Sequence, residues 1–281
     1  MRTPATASTR ITAFNSSTPS DCWVYVKSPR PRLWQNTAVR GARRSPSWKG
    51  ATKLATYVLV HGAWHGGWCW RRVAPALRAK GHEVYTPTLT GLGERSHLLT
   101  PQVGLDTHVE DVINVFEYED LREAVLVGHS YGGLVITGAV ASLAHRVSHL
   151  VYLDAFVPAD GDSLFSLIGG PRPEYLADWK LEPISTFGVT DPEDVAWLKA
   201  KMTPHPRKAM SDPVKVARPV ESYPFRRTYV LAAGQPMRAF PATAERLRAN
   251  PAWKVIDLPT GHDMMVTMAD ELTSILLEAA R

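Results

Sequence analysis

Ser130 sits in Gly128-His129-Ser130-Tyr131-Gly132, a G-x-S-x-G pentapeptide. A serine hydroxyl attacks a carbonyl only when a base takes its proton and fixed donors receive the charge that develops on the carbonyl oxygen. The base candidate is His262, in Thr260-Gly261-His262-Asp263, a loop between the last strand-like run and the last helical pattern. For the donors, His61-Gly62-Ala63-Trp64 directly follows the first strand-like run, and Tyr131 opens the pattern after the serine. The backbone N–H groups of Ala63 and Tyr131 are therefore the candidate oxyanion donors. A glycine-rich turn with an incidental serine would look similar in a nucleotide-binding fold, but the G-x-G-x-x-G spacing of such turns is missing.

These residues need elements to position them. From residue 57 onward, β-branched runs alternate with helical patterns, the signature of parallel strands joined by crossover helices. Strands are expected at Tyr57–His61, Glu83–Thr86, Ala124–Val127, Ser148–Leu153, Thr228–Ala232 and Trp253–Leu258. Helices are expected near Trp68–Lys80, Thr107–Tyr118, Tyr131–Leu143, Thr243–Ala249 and Ala269–Ala280, with Gly81 ending the first. After Pro158 the rhythm stops for about 65 residues rich in proline, with short helical patterns such as Pro192–Lys201 and no convincing strand. This reads as a lid, at about 159–225, inserted into an α/β fold with about six mostly parallel strands and helices on both faces. Ser130 would then stand on a sharp strand-to-helix turn, and the loop of His262 would emerge at the same carboxyl edge of the sheet.

The chain has 281 residues, 44% hydrophobic and 21% charged, and a formal charge of +5. That length suits one catalytic domain with an insertion rather than two domains. Residues 1–53 contain seven Arg and three Lys against one acid, Asp21, so this leader carries +9 and residues 54–281 carry −4. The catalytic body thus has no general electrostatic reason to seek phosphate backbones, and no nucleic-acid partner is expected. The leader, rich in Ser, Thr, Pro and Arg, reads as a disordered or non-native extension, an organelle transit peptide or a basic arm. No apolar run is long enough to span a membrane. Cys22 and Cys69 fall on either side of residue 53, which argues against a designed disulfide and for a reducing cytoplasm. The ten histidines form no ligand spacing, so neither metal nor other cofactor is expected. The expected partner is a small-molecule ester, and the reading leaves room for a homodimer.

Val60-His61-Gly62-Ala63-Trp64-His65-Gly66-Gly67-Trp68, the serine pentapeptide with Gly133, and Gly261-His262-Asp263 resemble the α/β-hydrolase branch of plant methylesterases, hydroxynitrile lyases and related bacterial esterases. The resemblance spans roughly residues 56–281. It implies the α/β-hydrolase fold with a lid over the site, no cofactor, and activity on esters of small hydrophobic acids. The plant branch supplies its triad acid just after the strand that here is Thr228–Ala232, yet no carboxylate occurs between Arg226 and Ala244. An anion is still needed to fix the imidazole tautomer and to stabilise the imidazolium. Asp154 is the replacement candidate, because it ends the strand next to the serine's own, where some α/β-hydrolases carry their acid. It keeps the order Ser, Asp, His, although an aspartate there could simply cap the first turn of the lid. Asp263 is the weaker candidate, since side chains adjacent in a loop diverge. Glu94 is expected to order its loop through Arg95.

Trp64, Phe156 and lid aromatics including Trp197 are expected to wall an apolar pocket, with His65 and His129 either lining it or packed, and His61 bonding backbone. The resulting reading is a serine carboxylesterase for small hydrophobic esters, acting through an acyl-enzyme. Two alternatives stay open: a lyase of the hydroxynitrile type and a small-molecule receptor on a hydrolase scaffold. Resembling lyases carry Thr and Lys where this chain has Gly62 and Asp263.

Overall fold

A computed structural model describes residues 54–171, 173–234 and 239–281, and the leader with Cys22 lies outside them. Alternation of helix and strand begins with β1 (Thr56–Val60), α1 (Val73–Arg78) and β2 (Glu83–Tyr85). It continues through α2 (Leu105–Tyr118), β3 (Ala124–His129), α3 (Gly132–Leu143) and β4 (Val147–Leu153). The inserted segment holds α4 (Leu164–Leu167), α5 (Pro173–Leu176), β5 (Lys180–Leu181), α6 (Pro192–Lys201), β6 (His205–Pro206) and α7 (Arg207–Ser211). The chain closes with β7 (Arg226–Ala232), α8 (Ala239–Arg248), β8 (Lys254–Leu258), α9 (Met264–Thr267) and α10 (Ala269–Ala279).

Six strands form one sheet in the order β2-β1-β3-β4-β7-β8, every neighbouring pair parallel. Parallel strands are covered on both faces, which is why β3 is buried at all six positions. Alternate residues feed two cores. Val58, Val60 and Leu126 pack with α2 and α3 residues on one face, while Tyr57, Leu59, Val125 and Val127 meet α1 and α10 residues on the other. At roughly 1.5–3 kcal/mol for each fully buried Leu or Val, these faces hold the sheet against the entropy of the chain. Direction reverses between β1 and β3, so the crevice beyond their carboxyl ends is a topological switch point.

Two expectations are corrected here. The helix read at Trp68–Lys80 splits into a 3-10 turn, Gly67–Trp70, and the short α1. Pro75 explains the break: with no N–H to return to Arg71 it fits only the first turn of a helix, and α1 starts two residues before it. The inserted segment, read as strandless, contains the small antiparallel pair β5–β6. Its longest helix, α6, begins as the sequence suggests: Asp191 caps the Glu193 and Asp194 amides, and Pro192 takes the first position. The segment is tied down by charge. Arg72 holds Asp194 through two bonds of 2.8 and 2.6 Å, and Asp212 accepts the Leu105 amide at the start of α2. At its exit the Arg227 guanidinium gathers the carbonyls of Val220, Glu221, Tyr223 and Phe225. No helix among the described residues is long and apolar enough to cross a membrane.

Candidate active site

Ser130 follows β3 with φ 55°, a left-handed backbone that a side-chain-bearing residue adopts only when its surroundings impose it. The surroundings are close-packed. A Cβ on Gly128 would lie 2.7 Å from the Gly132 carbonyl oxygen, and one on Gly132 would lie 2.8 Å from that of His61, so both positions require glycine. The loop leaving β4 grips the serine from both sides: the Ser130 amide donates to the Leu153 carbonyl at 3.2 Å, and the Phe156 amide donates to the Ser130 carbonyl at 3.3 Å.

His129 pairs with Leu153 across β3 and β4, so Ser130 and Asp154 leave adjacent strands side by side. Asp154, fully buried and also left-handed at φ 42°, accepts the Ala232 amide at 3.1 Å on one oxygen and His262 Nδ1–H at 2.6 Å on the other. It does not cap the lid; its carboxylate faces the imidazole. The side chains of Asp154 and His262 are 0% and 3% exposed, so water does not compete for this bond. With Nδ1 donating, Nε2 of His262 carries the lone pair, and no described residue claims it. Behind the ring, His129 Nε2–H donates to the His262 carbonyl at 3.0 Å, and Phe240 stacks on its face at 5.3 Å. The Ala63 and Tyr131 amides donate to no described partner.

A family model described as "Alpha/beta hydrolase family" matches residues 57–275. The chain belongs to this family. Among curated relatives, a carbendazim hydrolyzing esterase of Nocardioides sp. (strain SG-4G) is 40% identical over 241 residues, covering 79% of this hydrolase and 98% of the relative. Methylesterase 1 of Arabidopsis thaliana is 30% identical over 151 residues, 53% of this chain and 51% of that one. Of solved structures, an extracellular alpha/beta-hydrolase from a Paenibacillus species superposes with a TM-score of 0.65 at 22% identity, covering 81% of this chain and 99% of that one. The Arabidopsis methylesterase MES16 gives 0.63 at 24% identity, with coverages of 80% and 98%. At these identities the superpositions speak for the fold alone.

Other expected residues of the hydrolase fall into two groups. Trp64 and Phe156 border the site: Trp64 stacks on Phe187 at 5.6 Å, Phe187 lies 5.6 Å from the His262 ring, and Phe156 meets Phe240 edge-on at 4.9 Å. Two pocket assignments are corrected. Trp197, half-buried, packs edge-on against Trp68 and beneath the Arg71 guanidinium, against the core on the α1 side of the sheet. His65, 1% exposed, has both ring nitrogens engaged, Nδ1 with the Ala63 carbonyl at 2.8 Å and Nε2 with Asp263 at 3.2 Å. Burial alone would lower its pKa, but the charge and hydrogen bond of Asp263 outweigh it and the value rises. Burial likewise pushes Asp263 up, and His65 brings it below the ordinary carboxylate value. The two form a buried ion pair.

The histidine expected to bond backbone does so. His61 accepts the Leu89 amide and donates to the Gly62 carbonyl, and burial lowers its pKa to about 3. The Arg95 guanidinium engages Asp111 and the Thr88 carbonyl rather than Glu94, because those acceptors sit on the packed side of its loop. Sequence reasoning missed His108, which accepts from the Tyr131 hydroxyl at 2.8 Å, and His205, whose Nδ1 accepts the Trp64 amide at 3.4 Å. Their partners are distant in sequence and share no local pattern with them.

Proposed function

We propose that this protein is a serine carboxylesterase for small hydrophobic esters, with Ser130 as nucleophile, His262 as general base and Asp154 as the acid that orients it. The observation that carries this reading is the 2.6 Å bond from His262 Nδ1 to a buried Asp154 one strand from the serine. That bond fixes the tautomer whose Nε2 can accept the Ser130 proton. The alkoxide attacks the ester carbonyl, the Ala63 and Tyr131 amides receive the oxyanion, and the imidazolium returns its proton to the leaving alcohol. Water then repeats the sequence on the acyl-enzyme. Trp64, Phe156, Phe187 and Phe240 give the surroundings an apolar character suited to alkyl or aryl groups. The esterase and methylesterase relatives support the same class.

The lyase reading loses support at both of its marker positions. A Cβ on Gly62 would lie 2.9 Å from His129 Nδ1 and 3.0 Å from Ser130 Cβ, leaving little room for a hydroxyl-bearing side chain. Asp263 is buried against His65 and has the wrong sign to receive cyanide. The receptor reading would leave an oriented base and two unclaimed donors without purpose.

Turnover of p-nitrophenyl butyrate and of carbendazim by wild type and Ser130→Ala tests the proposal. Wild type hydrolyses an ester of this panel, and the variant loses about 10⁴-fold or more in kcat. Undiminished turnover in Ser130→Ala overturns the assignment.

A further inference from the structure

The peptide joining Ala63 to Trp64 is held from opposite directions by two parts of the molecule. Its carbonyl oxygen accepts from His65 Nδ1 at 2.8 Å, and its N–H donates to His205 Nδ1 of β6 at 3.4 Å. Trp64 then binds the inserted segment twice more. Its own carbonyl accepts the Thr203 amide at 3.0 Å, and its indole N–H donates to the Leu181 carbonyl of β5 at 2.8 Å. Phe187, another residue of the insertion, stacks on the indole. Thr203 extends the connection by accepting the Gly93 amide on its hydroxyl at 2.9 Å.

Trp64 needs this support, because its φ is 63°, in the left-handed region that a bulky residue avoids. Such a conformation persists only where the surroundings determine it from several sides. The residue immediately before it supplies a candidate oxyanion donor, and the direction of the Ala63 N–H depends on how the following peptide is turned. We propose that Trp64 is a positioning residue through which the β5–β6 pair of the lid sets the oxyanion loop, so that a seated lid is a condition for transition-state stabilisation. This inference rests on the esterase reading above.

The clamp accounts for several features together. His205 is fully buried and its pKa is lowered, by burial first and then by the neighbouring His108 and His61, so it stays neutral and able to accept the Trp64 amide. Its ring meets the Tyr131 ring edge-on at 4.7 Å, so one lid side chain touches Tyr131, which carries one candidate donor, and Trp64, next to the residue that carries the other. The β5–β6 pair, only two residues on each strand, presents the Leu181 carbonyl and the His205 ring to Trp64 from adjacent strands.

The test uses Trp64→Phe, which keeps the ring against Phe187 and removes the indole donor, together with His205→Ala and His205→Asn. Asparagine restores an acceptor near the place of Nδ1. The readouts are kcat and KM for p-nitrophenyl butyrate, the inhibition constant of a trifluoromethyl ketone whose adduct requires the oxyanion donors, and Tm. Trp64→Phe and His205→Ala should lower kcat by about 10- to 100-fold, less than the roughly 10²–10³ lost with a whole donor. KM should hold, ketone inhibition should weaken in parallel with kcat, and His205→Asn should recover most of the loss. Wild-type kcat in Trp64→Phe and His205→Ala, while Ser130→Ala is inactive, overturns the clamp and leaves the esterase reading standing. A fall in kcat that tracks Tm, with ketone inhibition unchanged and no recovery in His205→Asn, also overturns it. Activity in Ser130→Ala removes the underlying reading instead.

Discussion

Asp154 with His262, and Asp263 with His65, are both carboxylate–imidazole pairs shielded from solvent, and adjacent residues, His262 and Asp263, belong to different pairs. They differ in what the imidazole has left to offer. His262 gives only Nδ1 to its aspartate, and no described residue claims its Nε2. His65 gives Nε2 to Asp263 and Nδ1 to the Ala63 carbonyl, so both nitrogens donate and the ring is held as a cation with no free lone pair. On the reading we propose, one pair serves proton transfer, and the other fastens the loop that carries His262 to the loop that carries Ala63. A buried histidine next to an aspartate is therefore not a base by that fact alone; its second nitrogen decides.

The largest structural consequence should follow from breaking the fastening pair. Asp263→Ala leaves His65 buried without its counter-charge, and because the imidazole can shed its proton the loss should fall near the low end of the usual range, about 3 kcal/mol. Urea unfolding followed by tryptophan fluorescence measures it. A change within experimental error would mean that the pair does not hold the fold.

A smaller, graded effect separates the pairs from the neutral histidines by pH. His61 and His108 have folded values lowered to about 3 and about 4, chiefly by burial, against roughly 6.5 when unfolded. Between those limits the unfolded chain binds more protons, so the stability they contribute is present above about 6.5 and is lost as pH falls. His65 runs the other way: its folded value is raised, so its contribution is complete below about 6.5 and fades as pH climbs through that folded value. Asp263, lowered, contributes above its ordinary value and loses that contribution as pH falls through the folded one. Unfolding free energy should therefore decline from pH 6.5 to 4 in wild type and Asp263→Ala alike. The decline on the alkaline side should be shallower in the variant. An acid-side profile that is flat in wild type contradicts the neutral assignment of His61 and His108.

The sheet and its carboxyl edge were readable from the sequence because local rules govern them. Short β-branched runs such as Tyr57–His61 and Ala124–Val127, alternating with helical patterns, read as strands buried on both faces, and the glycines around Ser130 answer to close backbone approaches. Strand order also put Asp154 on the edge beside Ser130, where its carboxylate bonds the His262 imidazole. The fastening pair and the lid clamp left no such trace: His65 meets Asp263 across 198 positions and Trp64 meets His205 across 141, with no periodicity to announce either. Trp197 was misplaced for a related reason. An aromatic residue on a short lid helix can face the pocket or the body of the fold, and only the packing of Trp68 and Arg71 decides which.

The comparison of the two pairs is tested most directly by kcat/KM of Asp154→Asn beside Asp263→Ala on one ester substrate. Asp154→Asn should lose about 10⁴-fold while the fold remains intact, because the amide keeps the shape but spoils the tautomer of His262. Asp263→Ala, assayed at a temperature where it stays folded, should keep activity within about 10-fold. Near-wild-type turnover in Asp154→Asn, or a loss in Asp263→Ala as large as in Asp154→Asn, would contradict the division of labour between the two carboxylates.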